Sequence, residues 1–455
     1  MSNERSEIRE NRPGVGTMRE AMNRRRFLRA ATVAGGSIVL SAPAGTAFAA
    51  RRSPGGHRRR VYVIVVDGLR NDEITGGLMP NLTELIDQGT RFANARALPV
   101  AETLPNHVMM AAGRYPNRTG VPGNSAYDAA EGEVRTLGRA SDLRGPTMLD
   151  RAKEAGLTSG SVLSKDYLYG IFGTRATYRW EPEPIIPVSD HAPDVFTRHA
   201  LLAMIDEADP DLVFCSLGDC DRAGHVDLTG TTVQAVRSAA VWQADQALGA
   251  LASRLRSTDR WQESVVMVLA DHSMDWSSPW ALISLQPVMD RDPMLAGNVV
   301  ISQNGGADLL YWTGPERERA EARRRMAELA GGVDGVLSVH EPAELALGPE
   351  AGEVVAFCRA GWRFSDPRPW SNPIPGNHGH PATEPIPFVI SGGDPIVRSG
   401  VAAPGRAVTP DVAPTVGALL GIAEPDGGYD GRVLGEAFTA LPSDSAADRR
   451  GRHGL

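Results

Sequence analysis

Four short, largely apolar runs, 61–66, 211–217, 264–270 and 387–390, most constrain what this chain can fold into. None alternates apolar with polar residues as a half-exposed strand would, so each reads as a strand covered on both faces, as in a sheet between helix layers. Helical periodicity fills the intervals at 81–88, 147–155, 194–206 and 238–255. That alternation predicts an α/β fold with a mostly parallel central sheet. A stretch of different character, a strand at 308–312, a charged helix at 315–329 and strands at 336–340 and 353–358, reads as a small α+β subdomain inserted at about 295–365.

Three of the four apolar runs lead into acidic residues: Asp67, Asp219 with Asp221, and Asp271. Open α/β sheets bind ligands at those strand ends. One such carboxylate is ordinarily a strand-end cap. Three, two of them close to a histidine, make a ligand set: Asp221 stands four residues before His225, and Asp271 adjoins His272. With a later histidine, His378 or His380, these are ligands that zinc accepts, in numbers suited to two ions. His107, His191, His199 and His340 have no assigned role.

Thr103-Leu-Pro-Asn106-His107 enters a short apolar helix. Taken alone, Thr103 reads as a helix cap. A helix N-terminus also offers amides to a phosphate, and a metal would activate a hydroxyl placed there. Tyr167, Tyr169 and Phe172 could stack on a nucleobase, but aromatics at such spacing are more often core.

The formal charge of −8 and the absence of a basic block in the body of the chain speak against a nucleic-acid scaffold. Cys215, Cys220 and Cys358 form no CxxC pair, so neither a disulfide framework nor a cysteine zinc site is indicated. A pairing of Cys215 with Cys220 stays open. At the N-terminus, Asn23-Arg24-Arg25-Arg26-Phe27-Leu28-Arg29, the mildly apolar 30–40 and Ala47-Phe48-Ala49 together resemble a twin-arginine signal peptide spanning 1–49. Its removal, with eight arginines against four glutamates, takes the formal charge from −8 to −12. No transmembrane anchor is expected, and residues 441–455 read as a flexible tail.

In order, VVDGLR (65–70), TLPNHVMMAAGRYPNRTG (103–120), DRAGH (221–225), ADHSM (270–274), GNHG (376–379) and TPDVAPTVGALLGI (409–422) resemble the alkaline phosphatase superfamily, and within it the type I phosphodiesterase or nucleotide pyrophosphatase family. The resemblance implies a three-layer α/β/α sandwich over 50–440. Position by position, it implies one zinc on Asp67, Asp271, His272 and the Thr103 oxygen, and a second on Asp221, His225 and His378. The D-x-x-G-H and G-x-H-G frames favour Asp221 over Asp219 and His378 over His380. Asn106 would donate to a phosphate oxygen, helped by the amide after Thr103.

The activity implied is hydrolysis of phosphate esters through a phosphothreonine at Thr103, in an exported enzyme acting on a nucleotide or other phosphodiester. Ser273 departs from the glycine usual there, and the residues after His378-Gly379 also differ. A sulfatase would need a cysteine or serine at Thr103, and a phosphoglycerate mutase relative a serine. A phosphonoacetate hydrolase or a phosphomonoesterase shares more of the pattern. An exported binding protein that has lost turnover is the alternative outside enzymes.

Overall fold

The computed structural model describes residues 36–40, 58–182, 191–226 and 234–441. The rest of the expected signal peptide and the expected tail beyond Leu441 lie outside the described residues. Nine strands form the main sheet, in the order Gly36–Leu40, Tyr178–Pro182, Ser159–Leu163, Leu212–Leu217, Arg60–Val66, Ser264–Leu269, Phe388–Gly392, Thr90–Arg96 and Val401–Val408. Arg60–Val66 lies at the centre, parallel to both neighbours, and every residue in it is buried. Full burial of each Val or Ile side chain there contributes about 1.5–3 kcal/mol, so an acidic substitution at Val63 would disrupt the core.

Helices cover both faces of this mostly parallel sheet, giving a three-layer α/β/α sandwich. Pro80–Asp87, Asp194–Glu207 and Gln234–Ser257 pack in one group; Thr103–Ala112, Met148–Glu154, Asp166–Phe172 and Val412–Leu420 pack in another. Local chemistry sets the boundaries. Asp150 accepts from the Thr147 amide while the Thr147 hydroxyl accepts from the Asp150 amide, a reciprocal cap. Across the first group, Asp245 of the long helix accepts the Leu82 amide at 2.9 Å and so caps Pro80–Asp87 from outside.

The fourth apolar run departs from the parallel expectation. Phe388–Gly392 runs antiparallel to both Ser264–Leu269 and Thr90–Arg96. The cause is the site itself: the chain reaches this strand from Gly376-Asn377-His378, so it starts where the parallel strands end and runs away. Phe388 therefore lies opposite Leu269, two residues before Asp271.

A second sheet is antiparallel, in the order Val299–Asn304, Ala307–Trp312, Val354–Cys358 and Val336–His340. The Arg319–Gly331 helix packs on it, and Leu310, Met326, Ala356 and Phe364 belong to its own apolar core. Its first strand, Val299–Asn304, was not anticipated from the sequence. Gly36–Leu40, inside the expected signal segment, lies antiparallel to Tyr178–Pro182 at the main sheet's edge. Among the described residues no helix is long and apolar enough to cross a membrane.

Candidate metal and phosphate site

The ends of three central strands and the start of the antiparallel one converge on two groups of side chains. Asp67, Asp271 and His272 form one; Asp221, His225 and His378 form the other, and within each group the ligand atoms lie within 4.8 Å of one another. Asp67 and Asp271 follow adjacent strands, while Asp221 and His225 lie one turn apart on the Asp219–Val226 helix after the Leu212–Leu217 strand. His378 bridges the groups: its ring stacks on His272 at 3.7 Å between centroids, and its Nε2 lies 3.1 Å from His225 Nε2.

The three histidines present the same nitrogen. His225 Nδ1 lies 2.9 Å from the Gly376 carbonyl and His272 Nδ1 2.9 Å from the Ser273 carbonyl. A carbonyl only accepts, so each Nδ1 carries the proton and each Nε2 is left with its lone pair. His378 Nδ1 lies 3.0 Å from a carboxylate, Glu102 Oε1. Close backbone packing holds this arrangement. A Cβ on Gly376 would come within 2.2 Å of the Gly224 carbonyl, and Gly379 takes a φ of +104°, which suits glycine.

Thr103 is the first residue of the Thr103–Ala112 helix, and Glu102 holds the cap position. The cap reading of Thr103 therefore fails: its hydroxyl is spent on no backbone amide and lies 3.3 Å from His272 Nε2. His107, one turn on, places Nδ1 2.9 Å from the Thr103 carbonyl and Nε2 3.0 Å from Ser216 Oγ, pinning this helix to a central strand.

Asn106 requires a correction. Its side chain is completely buried; Oδ1 accepts from the Leu98 amide and the Thr409 hydroxyl, and Nδ2 faces the carbonyls of Leu98, Val100 and Glu102. Those contacts exhaust the carboxamide on the loop that folds back over the helix, so it has nothing left for a phosphate. A carboxamide at the start of the Thr103–Ala112 helix belongs instead to Asn124, whose Oδ1 accepts the Leu104 amide at 2.7 Å.

Asp219 and His380 stand outside both groups. Asp219 accepts the Asp194 amide and lies 3.2 Å from His191 Nε2, while His380 Nε2 lies 3.0 Å from Asp275. Among the aromatics, Phe172 is core and the Tyr169 hydroxyl donates to the Pro182 carbonyl. The Tyr167 ring instead lies 5.9 Å from Lys165 Nζ. All three cysteines are free and buried, so Cys215 and Cys220 do not pair.

Lys165 was missed by sequence reasoning. Its ammonium is buried between the two groups, 2.7 Å from Asp67 Oδ2 and 2.8 Å from Asp221 Oδ2. Burial alone would lower its pKa, but the two carboxylates outweigh that and raise it well above the usual value. Burial also raises Asp67, reinforced by Asp271 and opposed by Lys165. Burial pushes Asp221 upward too, yet Lys165, His225 and His378 together hold it well below the usual carboxylate range.

The charges do not balance without further cations. Asp67, Asp221, Asp271 and Glu102 are all buried against the single ammonium of Lys165 among the described residues that line the two groups. Both oxygens of Asp67, Asp221 Oδ1 and Asp271 Oδ2 are shut off from solvent without a hydrogen bond. Buried carboxylates left that way are costly unless cations meet them. Two groups, each of histidine and carboxylate ligand atoms within 4.8 Å of one another, fit divalent metal ions of the zinc type.

Known proteins are similar to this chain in sequence and in fold. Human bis(5′-adenosyl)-triphosphatase is 22% identical over 245 residues, 51% of this chain and 51% of its own length. A venom phosphodiesterase of Macrovipera lebetinus is 26% identical over 245 residues, 50% of this chain and 27% of its own. The chain thus spans about half the length, or less, of these curated relatives. Murine ectonucleotide pyrophosphatase/phosphodiesterase 5 superposes with a TM-score of 0.66 at 17% identity, covering 81% of this chain and 97% of that one. Phosphonoacetate hydrolase from Sinorhizobium meliloti, solved with phosphonoformate, gives 0.59 at 19% identity, covering 73% and 90%. The sequence profile named "Type I phosphodiesterase / nucleotide pyrophosphatase" matches residues 61–381, and the chain belongs to that family.

Proposed function

We propose that this chain is an exported hydrolase of phosphodiester or nucleotide pyrophosphate bonds, working through a phosphothreonine at Thr103 beside two zinc ions. The observation that carries the reading is the Thr103 hydroxyl: it opens a helix, is spent on no cap, and lies 3.3 Å from His272 Nε2 in a site whose buried carboxylate oxygens accept no hydrogen bond. Asp67, Asp271 and His272, with the Thr103 oxygen, would hold one ion, and Asp221, His225 and His378 the other. Ions so held would supply Lewis acidity toward the Thr103 hydroxyl and the phosphoryl oxygens.

The chain's own groups provide the rest. Thr103 Oγ attacks phosphorus in line, its bond to phosphorus forming as the bond to the leaving oxygen breaks, and water then cleaves the phosphothreonine. The helix N-terminus presents its positive end to the phosphoryl group. Asn124, beside the Leu104 amide, takes the anchoring role first given to Asn106. Lys165 favours the charged form of Asp221 and holds both Asp221 and Asp67 aimed into the site.

A twin-arginine signal fits this reading, since the expected substrates lie outside the cell. Its cleavage after Ala49 would remove the Gly36–Leu40 strand and leave Tyr178–Pro182 as a sheet edge. The names of the relatives suggest a nucleotide pyrophosphate or diester as substrate, and a phosphonate is the second arm. Turnover of bis-p-nitrophenyl phosphate, p-nitrophenyl phosphate, a dinucleoside triphosphate and phosphonoacetate, each with zinc and with chelator, tests it. Zinc-dependent diester or pyrophosphate cleavage is the expected result; phosphonoacetate alone being cleaved would reassign the substrate, and no cleavage at all would leave the binding-protein alternative.

A further inference from the structure

We propose that Glu102 is a positioning residue that sets the tautomer and direction of His378, and thereby the affinity of the second metal position; this rests on the two-metal reading above. His225 and His272 have Nδ1 fixed by backbone carbonyls, whereas His378 Nδ1 has only a side chain to face. Glu102 Oε1 and His378 Nδ1 are both shut off from solvent, neither makes a hydrogen bond to any other group, and they lie 3.0 Å apart as an ion-pair contact, close enough for a small turn of the ring to close a hydrogen bond between them. The carboxylate is itself held, because its other oxygen accepts from Asn124 Nδ2. Asn124 cannot turn over, since its Oδ1 already accepts the Leu104 amide. A Cβ on Gly305 or Gly379 would lie 3.0 Å from Glu102 Oε1, so glycine at both positions makes room for the group.

The consequence follows from donor and acceptor geometry. A carboxylate accepts at both ends, so with the Asn124 N–H at one oxygen its other oxygen is placed to accept the His378 Nδ1–H. That leaves His378 Nε2 unprotonated and aimed at Asp221 and His225. Losing an outer carboxylate of this kind costs roughly 10–100-fold in metal affinity. Glu102 lies immediately before Thr103, so the same residue couples the nucleophile's helix to a ligand of the opposite metal position.

The Glu102→Gln variant separates this role from simple space filling. With Asn124 fixed, the carboxamide it introduces must turn its carbonyl to Asn124 and its NH2 to His378 Nδ1. The ring must then protonate Nε2, the ligand atom. The experiment is a two-step zinc titration by competition with a chromophoric chelator, on wild type, Glu102→Gln and Glu102→Ala, with long-range 1H–15N spectra of the metal-free histidines. The expected result is two zinc ions in wild type, a loss of about 10–100-fold at one position only in both variants, and a His378 proton that moves from Nδ1 to Nε2 in Glu102→Gln. If Glu102→Ala fails to fold, the isosteric Glu102→Gln carries the test. Wild-type affinity and tautomer in Glu102→Gln, or equal weakening of both positions, overturns the proposal while leaving the two-metal reading intact. Wild type binding no zinc overturns both.

Discussion

Replacing Lys165 with methionine keeps the unbranched stem of the side chain and removes its charge. The ammonium is 1% exposed and touches one carboxylate of each ligand group, at 2.7 Å and 2.8 Å. Removing one partner of a buried ion pair typically costs about 3–5 kcal/mol, because the other charge stays buried without compensation. Here two carboxylates lose their partner, so the upper part of that range applies to the metal-free protein. That is a large fraction of a typical folding free energy of about 5–15 kcal/mol.

Bound cations would neutralise the same carboxylates, so the loss should shrink when zinc saturates the site. The difference between the two losses equals, by linkage, the gain in metal-binding free energy, and about 1.4 kcal/mol of it means tenfold tighter zinc. Urea unfolding of wild type and Lys165→Met, in chelator and in zinc, measures both quantities, and a zinc competition titration closes the cycle. A loss below about 1 kcal/mol in chelator, or an equal loss in both conditions, would refute the electrostatic account of Lys165.

Two further outcomes are expected. Burial, then the charge of Asp366 and a hydrogen bond to it, raises Asp308 well above the usual carboxylate range, while Asp366 accepts the amides of Leu285 and Gln286. With its folded pKa above its unfolded one, Asp308 contributes stability that is full below about pH 4 and lost as pH rises through the folded value. Asp308→Asn should therefore flatten the stability–pH profile on the alkaline side, and an unchanged slope would contradict the assignment. Cys215, Cys220 and Cys358 are buried, and burial raises each thiol. A thiol reagent should label none of the three in native protein and all of them in urea; rapid native labelling of any one would show that its site opens.

The ligand groups were legible because both their signals are local. Apolar runs ending in Asp67, Asp221 and Asp271 say where a sheet ends and what stands there, and four-residue and adjacent spacing tie His225 and His272 to them. What stayed hidden depends on contacts between distant segments. Asn106 stands three residues after Thr103, and the family resemblance recommended it. The loop 98–102, which takes up its carboxamide, becomes visible only when the chain folds back.

Asn124 lies in Gly123-Asn124-Ser125, which reads as an ordinary turn. Lys165 follows Ser159–Leu163, a strand with too many small and polar residues to stand out. One signal was available: Lys165 is one of only two lysines in a chain rich in arginine. The direction of Phe388–Gly392 could not be read from its composition, because apolar burial is the same in parallel and antiparallel interiors.

The central claim is that Thr103 becomes phosphorylated during turnover. Acid quenching of zinc-loaded enzyme during turnover of a slow phosphodiester, followed by proteolysis and mass spectrometry, reads this directly. The account expects an adduct equal in mass to the transferred phosphoryl group on Thr103, and neither adduct nor turnover in a Thr103→Ala variant that still binds zinc. Wild-type turnover in that variant, or an adduct on another residue, would contradict it.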